Sequence, residues 1–131
     1  MLVTRIYTGH DEQSHFEELD LPLQVTALGA MSGPIAVESV FMRDTTQMGP
    51  DVYDFHVAPR RQLAVHLRGR TEIEVGDGEK RSFGPGDLLL ADDLTGQGHI
   101  SRQTDGPRLQ MFVVLADDVD LEKWRSKHLG S

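Results

Sequence analysis

The chain has 131 residues, a formal net charge of −8 and no cysteine. This length fits a single domain, residues 1–131, with a substantial hydrophobic core. The lack of cysteine excludes disulfides and thiolate chemistry, and the acidic balance argues against a nucleic-acid binder, which needs a basic surface patch. Because no apolar run is long enough to cross a bilayer and the N-terminus does not resemble a signal peptide, we expect a cytoplasmic protein with no membrane partner.

Short apolar runs, separated by Gly, Pro and Asp, predict a fold made of many β-strands. In chain order the predicted strands cover residues 2–7, 24–28, 36–43, 52–57, 62–67, 71–75, 80–83, 88–91 and 109–115. A further segment, 15–19, is predicted as a strand or a turn. The tripeptide Gly76-Asp77-Gly78 predicts a hairpin between two of these strands. Many short strands joined by turns indicate a sandwich or a barrel, and periodicity alone does not distinguish the two.

One helix is predicted, over residues 117–128, near the C-terminal end of the chain. Its candidate buried residues recur at spacings of two to four: Val119, Leu121, Trp124 and His128. Acidic residues come early and basic residues late, as the helix dipole favours. We expect this helix to pack against the outside of the sheet or in a dimer contact.

Side chains alternate across a β-strand, so the sequence also predicts which residues share a face. In strand 62–67 one face is polar or small and the other is apolar; the first carries Gln62, Ala64 and His66, the second Leu63, Val65 and Leu67. In strand 52–57 the same rule places Asp54 and His56 together, opposite Tyr53, Phe55 and Val57. Because polar groups are costly to bury without partners, the polar faces are expected to meet water, a metal or a ligand inside the fold.

Two stretches carry recognisable motifs. The first, GPDVYDFHVAPRRQLAVHLRG at 49–69, sets His56 and Gln62 between two glycines, and the second, FGPGDLLLAD at 83–92, is followed by His99. In these motifs the segment 49–102 resembles the cupin superfamily, and the remaining strands fit a single-domain bacterial cupin. The resemblance implies an all-β fold of the cupin type, a jelly-roll or double-stranded β-helix barrel, here with a short C-terminal helix.

The resemblance also implies a divalent metal ion, whose identity the sequence does not specify. Cupins usually hold one such ion inside the barrel, with two His and one Glu from the first motif and one His from the second. Carried over to this chain, His56 occupies one of the two first-motif His positions, and the other falls on Asp54 or Ala58. The Glu position falls on Gln62, and His99 matches the second-motif His. The implied ligand set is therefore His56, Gln62, His99 and Asp54, with a neutral amide where the family has an anion.

Further candidates come from the same strands. His56 and His66 are candidate catalytic residues, because imidazole titrates near neutral pH; a structural, hydrogen-bonded histidine is the alternative for each. Gln62 is also a candidate for hydrogen bonding to a substrate. Arg60 would hold a carboxylate or phosphate, with a surface ion pair as the alternative. Tyr53 would contribute a substrate-binding surface, with a packing role as the alternative.

Two functions stay open on this evidence. In the first, the protein is a metal-dependent enzyme of isomerase, lyase or dioxygenase type that takes a small polar or anionic substrate into the barrel. In the second, it is a non-catalytic ligand-binding or sensor protein without a metal, since fold does not imply function. The expected partners are a small-molecule ligand and a second copy in a homodimer. Small barrels expose sheet edges that need covering, and strand 2–7 could add to a partner's sheet.

Overall fold

The computed structural model describes residues 1–49 and 52–125. Ten β-strands and one short 3₁₀ helix make up this part of the chain. The strands are β1 (Leu2–Thr8), β2 (Ser14–Asp20), β3 (Gln24–Thr26), β4 (Gly29–Met31), β5 (Val37–Asp44), β6 (Val52–His56), β7 (Gln62–Glu74), β8 (Lys80–Phe83), β9 (Leu88–Asp92) and β10 (His99–Leu115), and the 3₁₀ helix is Leu121–Trp124. The fold is therefore all-β, as the sequence predicts.

Eight of the strands form one sheet, and β3 and β4 form a separate two-stranded hairpin. The hydrogen-bonded order in the large sheet is β2-β1-β9-β7-β10-β5, with β8 also paired to β7 and β6 to β10. The β1–β9 pair is parallel and the other pairs are antiparallel. Because β1 has a neighbour on each side, it offers no free edge, and the prediction that the N-terminal strand adds to a partner's sheet is wrong.

The two longest strands, β7 with 13 residues and β10 with 17, lie at the centre of the sheet. The sequence predicts two separate strands, 62–67 before Gly69 and 71–75 after it, whereas β7 continues through this glycine. Gly69 has a φ of +82°, and a Cβ there would lie 2.7 Å from the backbone oxygens of Asp105 and Pro107. The pairing of β7 with β10 shifts register opposite this point. Glycine thus lets β7 pass a close approach of two backbones that a side chain would block.

The helix predicted over residues 117–128 is wrong within the described part of the chain, which ends at Arg125. Only Leu121–Trp124 is helical there, as a single 3₁₀ turn that begins after the capping residue Asp120 and ends at the extended Arg125. One such turn already buries both of its end residues, because residues three apart share a face of a 3₁₀ helix. The segment 126–128 lies outside the described residues. Within the described residues, no helix combines the length and the hydropathy that a membrane span needs.

Two hydrophobic clusters lie on the two faces of β7. The first contains Leu63 together with Val3, Leu19, Leu21, Leu90, Leu115, Leu121 and Trp124, and Val65 packs against it. The second contains Ala64 together with Ile6, Ile73, Val75, Phe83 and Leu89. The predicted alternation of strand 62–67 is confirmed for these residues, because Leu63 and Ala64 are neighbours that belong to different clusters. The face that carries Ala64 leads to a cavity.

Candidate functional site

A cavity of about 350 Å³ lies on the Ala64 face of the sheet, and its wall is formed by side chains from β1, β5, β6, β7, β9 and β10. Its apolar wall includes Ile6, Ala64, Ile73, Leu89 and Phe112. Its polar wall consists of Arg43, Tyr53, His56, Gln62, His66, Thr71, His99, Ser101, Arg108 and Gln110. A pocket that combines apolar walls with convergent polar groups is typical of a small-molecule site.

His56 and His99 lie side by side in this wall. They are partners in the pairing of β6 with β10, and their ring centroids are 4.5 Å apart. His56 Nδ1 donates to the backbone oxygen of Asp54 at 2.8 Å, and His99 Nδ1 lies 2.6 Å from Asp93 Oδ2. Because each Nδ1 is engaged, each Nε2 is the nitrogen available to a proton, a metal or a ligand. The structure thus brings together His56 and His99, the two histidines that the cupin resemblance assigns to the implied metal site.

Asp93 holds one member of this pair, His99, through a hydrogen bond. The residue is fully buried, and its Oδ2 accepts hydrogen bonds from Ser14 Oγ at 2.6 Å and from His99 Nδ1. Its backbone oxygen accepts from Ala58 N at 3.0 Å. A carboxylate on the far nitrogen fixes the orientation of an imidazole. Asp93 therefore determines how His99 presents itself to the cavity.

A second polar group, here called the basic wall, consists of Arg43, His66, Thr71, Arg108 and Gln110. Within it, Arg43, Gln110 and His66 are register partners on the adjacent strands β5, β10 and β7. His66 Nε2 accepts from Gln110 Nε2 at 3.1 Å and lies 2.8 Å from Thr71 Oγ1. Arg108 Nη1 donates to the same Thr71 oxygen at 2.8 Å. His66, Thr71, Arg108 and Gln110 thus form one hydrogen-bonded network across β7 and β10, and Arg43 lies beside it on β5.

His66 is neutral near pH 7 in this network. Burial, and to a smaller extent the positive charge of Arg108, lower the pKa of its imidazole to about 4. Because Nε2 accepts, the remaining ring proton sits on Nδ1. This buried N–H has no hydrogen-bond partner among the described residues. His66 therefore offers a donor that the surrounding protein does not use.

Two amide oxygens of the cavity wall are hydrogen-bond acceptors that the described part of the protein does not use. Gln62 and Gln110 are both buried, and neither side-chain oxygen has a hydrogen-bond partner within the ranges 1–49 and 52–125. Leaving a buried polar atom unpaired costs about 1–3 kcal/mol. Such atoms in a native protein need an explanation, and a bound molecule that pairs with them is one.

Five of the predicted site residues line the cavity: Tyr53, His56, Gln62, His66 and His99. The Tyr53 hydroxyl accepts from Arg43 Nη2 at 3.0 Å, and the Arg43 guanidinium carbon lies 5.3 Å from the centre of the Tyr53 ring. Tyr53 is therefore held at the cavity by an arginine that no sequence motif marks.

Asp54 lies outside the cavity wall, and the prediction that it shares a face with His56 is wrong. Tyr53 pairs with Ser101 and His56 pairs with His99. Between these two pairs β6 advances by three residues but β10 by only two. This β-bulge breaks the alternation and brings Tyr53 and His56 to the same side. The Asp54 carboxylate accepts instead from its neighbour's backbone nitrogen at 2.8 Å. The structure does not group Asp54 with the other proposed metal ligands.

Arg60 also lies outside the cavity wall. Its guanidinium carbon is 4.3 Å from the centre of the Phe41 ring, and it lines a separate surface groove together with Arg61 and Asp92. The arginines that line the cavity are Arg43 and Arg108. The structure therefore separates the predicted anion-binding arginine from the other candidates.

Some wall residues carried a signal in the sequence and others did not. Gln110 alternates with Phe112 and Val114 in a strand predicted to be buried, and a polar residue in that pattern points to a partner or a ligand. Arg108 and Asp93 lie beside the predicted strands 109–115 and 88–91, in segments where turn chemistry or a surface ion pair explains a charged residue equally well. Only their long-range contacts reveal them.

The divalent metal that the cupin resemblance implies would need its ligands among the residues of the cavity. Within the described residues, no group of three or more His, Cys, Asp or Glu side chains has the arrangement of a metal site. His56, His99 and Gln62 nevertheless all line the cavity, and Gln62 Oε1 has no hydrogen-bond partner among the described residues. Imidazole nitrogens suit borderline divalent ions, and an amide oxygen can coordinate. The set fits an ion that tolerates neutral ligands.

No protein-family model matches the chain, and no curated protein is significantly similar to it in sequence. Chemically, the cavity can hold a small molecule against two histidines and against buried donors and acceptors that have no hydrogen-bond partner among the described residues.

Proposed function

We propose that this protein is a small cupin-type jelly-roll barrel that binds a small polar or anionic molecule in its cavity. The observation that supports this most strongly is the set of buried wall atoms without partners among the described residues: Gln62 Oε1, Gln110 Oε1 and His66 Nδ1. Apolar groups at these positions would give a more stable fold, since each unpaired polar atom costs about 1–3 kcal/mol. A ligand that pairs with these atoms offsets that cost, which explains why polar groups occupy the wall.

In its catalytic form, the proposal is a metal-dependent enzyme of isomerase, lyase or dioxygenase type. His56, His99 and Gln62 would hold the ion, and a divalent ion bound there would polarise a carbonyl or activate water or dioxygen. Asp93 keeps His99 oriented for this role. Because His66 Nε2 already accepts from Gln110, His66 would act on the substrate as a hydrogen-bond donor through Nδ1.

The neutral character of the donor set favours the alternative, a binding or sensor protein without metal and without catalysis. Cupins usually place a glutamate where this chain has Gln62, and a neutral amide binds hard cations more weakly. In this alternative, His56 and His99 bind the far end of the ligand directly. The cavity and its unpaired wall atoms serve binding in both forms of the proposal.

A thermal-shift screen of small organic acids and sugars tests both forms. A ligand should raise the melting temperature of the wild type, and the shift should be lost in His56→Ala and Gln62→Ala, which remove two wall groups. Matched controls are His10→Ala and Gln24→Ala, because both residues are exposed and lie outside the cavity. If a ligand stabilises the two wall variants as strongly as the wild type, the cavity is not its site.

We also propose that the protein acts in the cytoplasm as a homodimer that pairs through β5. Among the described strands β5 pairs only with β10, and its apolar side chains are between 45% and 59% exposed: Val37, Val40, Phe41 and Met42. An exposed apolar edge strand tends to pair with another strand, and two antiparallel copies of one strand satisfy a two-fold axis. Val40→Lys should therefore give a monomer in sedimentation velocity, while Leu94→Lys, at a similarly exposed loop residue, should not. A monomeric wild type would contradict the proposal.

A further inference from the structure

The segment 22–44 contains the β3–β4 hairpin and the strand β5, and none of its 23 residues is buried. Two elements of regular structure in this segment therefore contribute almost nothing to the core of the single chain. One side of a standard protein–protein interface involves about 20–30 residues. The uncovered segment is of the size that one side of a stable interface needs.

The hairpin end of this segment is apolar and uncharged. From Leu21 to Val37 the sequence has no Asp, Glu, Lys, Arg or His, although charged residues make up 26% of the chain. Val25 and Leu28 are 90% and 86% exposed. The core of an interface is depleted of charged residues in the same way. The composition therefore suits a buried contact better than a hairpin that is surrounded by water.

The hairpin has a defined internal structure and little support from the rest of the chain. Residues Gln24–Thr26 pair with Gly29–Met31. At the turn, Thr26 Oγ1 donates to the backbone oxygen of Gly29 at 2.8 Å and accepts from Leu28 N at 3.0 Å. All residues of both strands are exposed. Because a two-stranded hairpin alone is at best marginally stable in water, this one needs a surface on which to pack.

An uncovered apolar surface of matching character lies on β5, on the face of the sheet opposite the cavity. Val40 and Met42 pair with Val113 and Met111 of β10, and Val113 packs against the first hydrophobic cluster. Val40 is 51% exposed and Met42 is 59% exposed. The same chain thus carries an apolar hairpin and an apolar face, and leaves both uncovered.

Ile35 indicates the side of the sheet on which the chain connects to the hairpin. It lies between β4 and β5 and packs against the first cluster, so the connection runs on the same side as Val40 and Met42. The hairpin joins β5 at its N-terminal end, near Val37, and five residues separate Val37 from Met42 of the same chain. At roughly 3.4 Å per residue this is about 17 Å.

A second copy brings the apolar face closer to the hairpin. In a two-fold antiparallel pair of β5 strands centred on Val40, Glu38 lies opposite Met42 of the second copy. Neighbouring strands are about 4.8 Å apart. The hairpin of one copy therefore begins beside the uncovered apolar face of the other copy.

Building on the proposed homodimer through β5, we propose that the two copies exchange their hairpins. Val25 and Leu28 of each copy would pack on Val40 and Met42 of the other. Each copy then supplies one hairpin and receives one, as a two-fold axis requires. The surface that covers the hairpin is thus a second copy of this chain.

Sedimentation velocity over a series of protein concentrations tests the contribution of the hairpin. The double variant Val25→Lys/Leu28→Lys should raise the Kd of the dimer at least about tenfold, because burial of one Val or Leu side chain contributes that much. Both residues are exposed in the single chain, so circular dichroism should show an unchanged fold. The matched control is Leu2→Lys/Leu94→Lys, which adds the same charge at two exposed leucines outside the segment and should dimerise as the wild type does.

Cross-linking tests where the hairpin packs. The chain has no cysteine, so each introduced cysteine reports on one position. Val25→Cys and Met42→Cys proteins, one of them carrying a size tag, are mixed, allowed to exchange subunits and treated with a short bismaleimide. This mixture should give a cross-linked dimer of the two different chains. The control mixture of Val25→Cys with Leu94→Cys should not.

The outcomes separate hairpin exchange from the proposed pairing of β5. If the Val25→Lys/Leu28→Lys variant dimerises as strongly as its control, hairpin exchange is wrong and the β5 pairing stands. If the wild type is monomeric, both proposals are wrong and the hairpin serves a different partner. A weakened dimer without the cross-link between positions 25 and 42 would also overturn the exchange, because the hairpin then packs elsewhere.

Discussion

The carboxylate of Asp93 and the imidazole of His99 form a buried pair, with Oδ2 and Nδ1 2.6 Å apart. Asp93 is also held by Ser14 Oγ at 2.6 Å, so β2 and β10 meet at this carboxylate. The far nitrogen of His99 belongs to a ring that lies 4.5 Å from the ring of His56, centre to centre. The orientation of one histidine in the cavity is thus fixed by a residue outside it.

Asp93→Asn should therefore destabilise the protein and disturb the cavity together. The amide oxygen is neutral, so it accepts more weakly than the carboxylate from Ser14 and His99. The free energy of unfolding should therefore fall by about 1–3 kcal/mol. Urea unfolding measures this change. Asp117→Asn, at an exposed residue, is the matched control and should change stability little. If Asp93→Asn has the same free energy of unfolding as the wild type, the Asp93–His99 pair contributes nothing to stability.

The metal form of the proposal predicts a measurable stoichiometry. Protein purified without a metal-affinity tag and loaded separately with Mn, Fe, Ni or Zn should retain close to one ion per chain for a borderline metal such as Ni or Zn. His99→Ala should lower the affinity at least about tenfold because a ligand is removed, while His10→Ala should not. Less than about a tenth of an ion per chain for every metal would leave only the metal-free form.

Acidification should destabilise the fold through His66. Its imidazole titrates at an ordinary pKa of 6.5 when unfolded and at about 4 when folded, so between these values the unfolded chain binds a proton that the folded chain does not. The stability associated with the neutral ring is fully present above about pH 6.5 and is lost as the pH falls toward 4. The loss should be on the order of 2–3 kcal/mol.

The His66→Gln variant isolates this effect, because it cannot titrate and retains hydrogen-bonding groups. Urea unfolding of the wild type and the variant should give stabilities that converge or cross as the pH is lowered through this window. His10→Gln, at an exposed residue, should follow the wild type. Parallel pH profiles for the wild type and His66→Gln would contradict the buried neutral histidine.

Gly69 should be the glycine whose replacement harms the fold most clearly. In Gly69→Ala the new Cβ would lie 2.7 Å from two backbone oxygens at a φ of +82°, so the cost should exceed about 2 kcal/mol. Gly78→Ala is the matched control, because Gly78 has a similar φ of +90° but nothing within 4 Å of its added Cβ; it should cost about 1 kcal/mol. Equal losses in urea unfolding would mean that the close approach at Gly69 relaxes freely.

The local pattern of the sequence determined the all-β class, most of the strands and the division of β7 into a cavity face and a core face. Gln62, Ala64 and His66 followed from alternation alone, because side chains on a regular strand alternate whatever the strand pairs with. The same rule failed at Asp54, where a bulge between β6 and β10 breaks the alternation. The helix predicted from apolar spacing was wrong in the described residues, because one 3₁₀ turn already buries Leu121 and Trp124.

The tertiary structure decided which polar residues share the cavity. Arg108 meets His66 through Thr71, and Asp93 meets His99, only because distant segments pair in a particular register. Register depends on long-range hydrogen bonds and on the close approach at Gly69, neither of which a local pattern encodes. The sequence by itself therefore determined the strands and one face of the site, whereas the basic wall and the anchored histidine pair exist only in the assembled sheet.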